Sequence, residues 1–317
     1  MMADDATDLA VPELTRAPTF RHRIEYALFS AATAMLHALP RRSALALGSV
    51  IGRLGFSPLR IRRNVVEENL RTAFPERDAD WIRATGRAAY AHLGRELVEM
   101  LRAARGGRDA VLESTVLEGE EHLRAALERG QGAVLITGHY GNWEMSAGAV
   151  ASRGFPVDVL IQRQRNPLFD RAIIDARRGI GMELIDRGLA TKTGLKTLRD
   201  NRVLALAGDQ NTRRGGVFLP FFSRPAATSR GFTILAARAG APILTMMGTR
   251  RSDGRLHVVI RPLGQEIGRG GLATNDIVQR YLLELERTIR AAPEQYFWHH
   301  RRWKTRPAEE LTSTSPV

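Results

Sequence analysis

Ala133-Val134-Leu135-Ile136-Thr137-Gly138-His139-Tyr140-Gly141-Asn142-Trp143-Glu144 carries the chain from an apolar run, through a loop with two glycines, into the start of a helix. The apolar run reads as a buried strand, and a helix following it directly makes the unit from which α/β sheets are built. His139 stands at the strand exit and Glu144 five positions later. On one continuous helix, positions five apart point about 140° away from each other, so these side chains would not meet. Gly138 and Gly141 permit a tight turn instead, with His139 in the loop and Glu144 on the first turn of a helix that starts near Asn142. There the helix terminus favours an ionised carboxylate. The spacing predicts that Glu144 accepts a hydrogen bond from one imidazole nitrogen while the other takes up a proton. The same residues also read as a capped helix beside a loop histidine.

Beyond Gly119 this alternation repeats. Apolar runs at 133–137, 157–162, 183–185, 203–207, 242–248 and 257–260 are interleaved with helical patterns from Asn142 and at 167–178, 191–199, 229–240 and 275–292. The pattern predicts an α/β fold with a mostly parallel central sheet flanked by helices, and a site at the carboxyl ends of its strands, where His139 falls. Before Gly119 the apolar spacing is helical throughout, over 63–74 and 78–105, with Pro75 between the two stretches. Two short apolar segments, 26–39 and 44–56, precede them, separated by Pro40 and flanked by Arg21, Arg23, Arg41 and Arg42. Each is shorter than the roughly 20 residues a spanning helix needs. They read as a helical segment lying in one membrane leaflet with arginines at the headgroups, or as two buried core helices. The expected organisation is a disordered lead over 1–19, membrane-associating helices over 20–56, an α/β domain with a helical N-terminal part over 57–307, and a disordered tail over 308–317.

Composition narrows the chemistry. Lys and Arg number 47 against 34 Asp and Glu, a net charge of +13, which suits anionic partners: nucleic acid, an anionic membrane surface, a phosphorylated lipid or an acidic carrier protein. With no cysteine in the 317 residues, disulfides, thiolate metal sites and a cysteine nucleophile are excluded.

Four blocks in order resemble the late acyltransferases of lipid A biosynthesis, within the wider glycerolipid acyltransferase superfamily. They are Gly138-His139-Tyr140-Gly141-Asn142-Trp143-Glu144, Gly208-Asp209-Gln210-Asn211, Gly216-Val217-Phe218-Leu219-Pro220-Phe221-Phe222, and the run from Pro293 to Pro307. The resemblance extends from about Arg21 to Pro307 and includes the Asn69-to-Glu76 element. One histidine–acid box is weak evidence, whereas four blocks in register are specific.

The resemblance implies a membrane-associated enzyme at the cytoplasmic face of a bacterial inner membrane, moving a fatty acyl group from acyl carrier protein to a hydroxyl of a lipid A precursor, a phosphorylated glycolipid. His139 would act as general base and Glu144 would orient it. Transfer would be direct, with no cofactor and no covalent enzyme intermediate, in keeping with the missing cysteine and the missing G-x-S-x-G elbow. The family's functional arginine and aspartate fall on Arg177, after Asn166-Pro167, and on Asp209. Arg177 would bind phosphate or stabilise an oxyanion, with Asp209 orienting it through a salt bridge or the pair serving as scaffold; Arg178 is an adjacent competitor. Asn142, Arg213, Arg214 and Arg302 are the candidate substrate-binding residues. The terminal block from Trp298 to Arg306 suits a membrane interface, a nucleic-acid surface or tryptophans packed into the core. No nucleic-acid motif accompanies it, and nucleic acid is not the expected partner. His139 and Glu144 lack the helical register of a zinc-protease motif, so no catalytic metal is expected. Related lipid acceptors, namely lysophospholipids, ornithine lipids and phosphatidylinositol mannosides, remain alternatives, as does a basic nucleic-acid-binding protein.

Overall fold

The structure, a computed structural model, describes residues 17–213, 215–264 and 273–307. Arg214, the tail over 308–317 and all but the last three residues of the expected lead lie outside the described residues. Four helices come first: α1 (Phe20–Ala38), α2 (Arg41–Phe56), α3 (Arg63–Ala73) and α4 (Ala79–Ser114), the last interrupted by non-helical dihedrals at Gly107. Then follow β1 (Thr115–Glu118), α5 (Glu120–Glu128), β2 (Ala133–Thr137), α6 (Trp143–Ser152), β3 (Val157–Ile161), α7 (Pro167–Gly179), β4 (Met182–Asp186), α8 (Ala190–Arg199) and β5 (Val203–Ala207). A hairpin of β6 (Gly216–Phe221) and β7 (Arg224–Ser229) precedes α9 (Gly231–Ala239), β8 (Ile243–Arg250), β9 (Leu256–Gly264) and α10 (Thr274–Ala291).

Seven strands form one sheet in the order β1-β9-β8-β2-β5-β3-β4. The five from β8 to β4 are mutually parallel; β9 runs antiparallel to β8, and β1 runs parallel to β9. The expected mostly parallel sheet flanked by helices is therefore present. β1, α5 and the β6–β7 hairpin were not expected from the sequence. β1 is a four-residue edge strand abutting a helix, and β6 carries Pro220, which argues against a strand unless it lies at an edge.

Side chains alternate across β2, so its two faces feed two cores. Val134 and Ile136 join Leu204, Phe232, Tyr281 and Leu285 on the α9–α10 side. Ala133 and Leu135 join Met145, Val150, Val111 and Leu123 on the α4–α6 side. The whole of β2 is buried, which fits its near-continuous apolar sequence. The strand can therefore present a reacting group only where it ends.

α2 lies against α4 through glycines. A methyl group at Gly52 would sit 1.9 Å from the Tyr90 carbonyl oxygen, and one at Gly94 would sit 2.1 Å from that of Gly48. Backbones approach this closely only where side chains are absent. α1 docks on the start of α7: the Asn166 amide donates to the His22 carbonyl (3.1 Å) and to Glu25 Oε2 (3.2 Å), and the Phe29 ring packs tilted against Phe169 with centres 4.7 Å apart. The outer side of these helices remains apolar, with Phe20, Ile24, Leu28 and Met35 of α1 and Val50, Ile51 and Leu54 of α2 exposed. No helix among the described residues is long and apolar enough to cross a membrane.

Candidate active site

Parallel register builds the centre of the site. β2 and β5 pair Ala133 with Val203 through to Thr137 with Ala207. His139 and Asp209 each stand two residues past those strand ends and meet. His139 Nδ1 lies 2.6 Å from Asp209 Oδ1, and the His139 backbone N–H donates to Asp209 Oδ2 at 3.0 Å. Asp209 is 2 % exposed. Burial alone would raise its pKa, yet contact with His139, aided by the charge of Arg302, brings it down to about 2. Burial pulls His139 the other way, but Asp209 outweighs it and His139 titrates above its ordinary value. Gln210 Nε2 stands 3.1 Å from His139 Nε2. Because an amide nitrogen only donates, Nε2 is the accepting nitrogen and Nδ1 carries the proton toward Asp209.

The carboxylate on Nδ1 is thus Asp209, not Glu144 as the spacing suggested. Glu144 does lie on the first turn of α6, as expected. It faces α7 and takes both ends of the Arg177 guanidinium, Nε to Oε2 at 2.9 Å and Nη2 to Oε1. A planar fork on a carboxylate is a two-point contact that an imidazole cannot match. The expected Arg177–Asp209 pair is replaced accordingly: Arg177 belongs to Glu144 and Asp209 to His139. Glu144 still contributes a smaller upward push on the His139 pKa. Arg178, the competitor, is exposed.

Asn142 and Arg302, two of the candidate substrate-binding residues, are both buried and engaged with the protein's own groups. Asn142 is buried; its side-chain oxygen caps α6 by accepting from the Met145 N–H (3.0 Å), and its amide donates to the Glu96 carbonyl and to Glu96 Oε2 (both 3.1 Å). Glu96 in turn pairs with buried Arg250, Nε to Oε1 at 2.9 Å. Arg302 is 1 % exposed and donates to the Ala227 carbonyl (2.8 Å) and Thr228 Oγ1 (2.6 Å), with its cation 5.2 Å from the Phe221 ring. Arg213 is exposed on the loop before β6, and Arg214 lies outside the described residues.

The terminal block packs inward. Trp298 and Trp303 are buried, so the core-packing alternative holds, and the surface expected for lipid headgroups or nucleic-acid bases is not formed by these rings. Residues 295–305 strap the loops that follow β2 and β5. The Phe297 N–H donates to the His139 carbonyl (2.9 Å), the Gly141 N–H donates to the Gln295 carbonyl (2.8 Å), and Asn211 exchanges two hydrogen bonds with Thr305 (2.9 and 3.0 Å). Gly141, at φ 57°, could not be any other residue: a methyl group there would sit 1.8 Å from the Gly248 carbonyl oxygen. Trp143 and Phe297 wall the imidazole, with ring centres at 4.9 and 6.2 Å. The arrangement presents an oriented base, backed by a buried anion, at the open end of a parallel sheet. Such a base can take a proton from a hydroxyl and return it to a leaving group. Among the described residues no group of three or more His, Cys, Asp or Glu is placed to hold a metal ion.

The resemblance singled out Asp209, but not as the partner of His139. The signal was there: Gly208-Asp209 follows the apolar run 203–207 as Gly138-His139 follows 133–137. Gln210 carries no signal of its own beyond its place in the Gly208-Asp209-Gln210-Asn211 block.

Residues 14–305 match the profile of the bacterial lipid A biosynthesis acyltransferases. The chain is 28% identical over 277 residues to a lipid A biosynthesis lauroyltransferase of Escherichia coli K12, covering 85% of this chain and 88% of the relative. It is 28% identical over 271 residues to a lipid A biosynthesis palmitoleoyltransferase of the same strain, covering 83% and 86%. A phosphatidylinositol mannoside acyltransferase of Mycobacterium tuberculosis (strain CDC 1551 / Oshkosh) is 32% identical over 133 residues, 41% of this chain and 42% of the relative.

Proposed function

The chain belongs to the bacterial lipid A biosynthesis acyltransferase family, and from that premise we propose that it moves a fatty acyl group from acyl carrier protein to a hydroxyl of a lipid A precursor, with His139 as base and Asp209 as its orienting carboxylate. The observation that carries the reading is the 2.6 Å contact between His139 Nδ1 and Asp209, which leaves Nε2 as the proton acceptor. The acceptor hydroxyl gives its proton to Nε2 as its oxygen attacks the thioester carbon. The imidazolium formed is stabilised by the buried anion, then protonates the departing thiolate. No cofactor and no acyl-enzyme intermediate take part.

Glu144 fixes Arg177 beside the base, so that Arg177 keeps its remaining Nη1 edge for a phosphate or the developing oxyanion. Arg178 and Arg213, both exposed, supply further cations for a phosphorylated acceptor. The apolar outer side of α1 and α2 rests in the membrane interface, at the cytoplasmic side of the inner membrane, where the carrier-bound donor is made. The partial similarity to a phosphatidylinositol mannoside acyltransferase favours, as a second reading, another anionic glycolipid as acceptor.

Mass spectrometry of products decides between them. Purified protein incubated with acyl carrier protein thioesters of several chain lengths is expected to acylate lipid A precursor, and His139→Ala to lose at least ~10²-fold of that rate while remaining folded. Acylation of phosphatidylinositol mannoside alone would install the second reading. Near wild-type turnover by His139→Ala would remove the proposed base.

A further inference from the structure

In the resting protein the lone pair that must receive the acceptor's proton is already occupied by the Gln210 amide, 3.1 Å away. The loop that carries Gln210 is held on both sides. The Gly208 N–H donates to the Thr137 carbonyl (3.0 Å), Asp209 is bound to His139, and the Asn211 N–H donates to His300 Nε2 (3.0 Å). Gln210 itself is half-buried, and its side chain extends from this held backbone. When a hydroxyl takes its place on Nε2, the amide is released with two donors and no partner, next to the atoms that react.

Resting on the acyl-transfer reading above, we propose that Gln210 is a catalytic residue with two successive positions: a cap on His139 Nε2 in the free enzyme, and a donor to the oxyanion of the tetrahedral intermediate. The attacking oxygen sits about 3 Å from Nε2 and the carbonyl carbon one forming bond beyond it, so the oxyanion develops within about 4–5 Å of Nε2. An amide nitrogen 3.1 Å from the same atom reaches that position by side-chain rotation alone. The acceptor O–H bond breaks, its proton forms a bond to Nε2, and the carbonyl π pair moves onto the oxygen that Gln210 then binds. On collapse the pair returns, the C–S bond breaks, and the thiolate takes the proton from Nε2. The first position also has a purpose: with Nε2 capped, a stray water is not activated against the thioester before the acceptor arrives.

The two positions have separate signatures. Donation to Nε2 favours neutral imidazole, so its loss raises the His139 pKa in the free protein. Full-length protein in detergent, treated with diethyl pyrocarbonate across a pH series and read by peptide mass spectrometry, reports the free Nε2 lone pair without any substrate. Gln210→Leu and the isosteric Gln210→Glu are expected to label faster at high pH, with the midpoint of labelling moved to higher pH. In acyl transfer from lauroyl acyl carrier protein to lipid A precursor, both are expected to lose ~10²-fold in kcat with KM little changed, and the acidic limb of kcat/KM moves to higher pH. Unchanged labelling overturns the resting position even if the wild type transfers no acyl group at all. A wild-type kcat in Gln210→Glu, or a loss confined to KM, overturns the oxyanion position.

Discussion

Asp209 keeps its charge in a nearly dry site because His139 occupies both of its oxygens, and a carboxylate so held is what an imidazole needs behind it in order to accept a proton in front. Asp209→Asn is expected to lower acyl transfer by ~10²–10⁴-fold and, by removing the anion that raises the His139 pKa, to move the acidic limb of the rate profile to lower pH. Glu144→Gln should move that limb less, since its charge is the weaker of the two on His139; pH profiles of kcat/KM for the two variants tell them apart. His299 offers a second test. Both its ring nitrogens lack hydrogen-bond partners, and its ring is wedged 4.3 Å from Tyr90 and 5.0 Å from Phe297. Burial lowers its pKa to about 4, so as pH falls below about 6.5 the unfolded chain binds a proton that the folded ring refuses, and stability declines until the pH nears 4. His299→Phe should flatten that decline by up to about 1.4 kcal/mol per pH unit, read as thermal midpoints between pH 7 and pH 5.

Among the elements, the α2–α4 contact is the least tolerant. Gly94→Ala forces the backbones apart and is expected to cost ~1–3 kcal/mol or more in a denaturant melt, while an exposed Ala27→Ser on α1 costs almost nothing. Most of the helices and central strands, with their exits, could be read from the chain because periodicity and apolar runs are local properties. β2 and β5 match their expected limits of 133–137 and 203–207. What could not be read was which strand lies beside which. The pairing of β2 with β5 is what brings Asp209 to His139, and register between strands seventy positions apart leaves no local trace. Nor does spacing distinguish a buried arginine such as Arg302 from an exposed one such as Arg213.

At the scale of the molecule, basic charge and an apolar outer side coincide on the N-terminal helices. Replacing Leu28, Ile51 and Leu54 together by Glu alters only exposed positions, so the protein should stay folded while moving from the membrane pellet to the supernatant in a sedimentation assay. Retention in the pellet would assign the anchor to another surface. These substitutions test the attachment better than deleting residues up to Gly55 would, because α2 is seated on α4 and its removal would strip the core. The strap over 295–305 carries a consequence for how the enzyme is made. A nascent chain that has emerged only as far as α10 already possesses His139, Asp209, Glu144 and Arg177, but not the segment that takes the His139 carbonyl and clasps Asn211. The loop of the base is therefore firmly seated only after the ribosome has delivered residue 305, and a product truncated before Gln295 is expected to be inert.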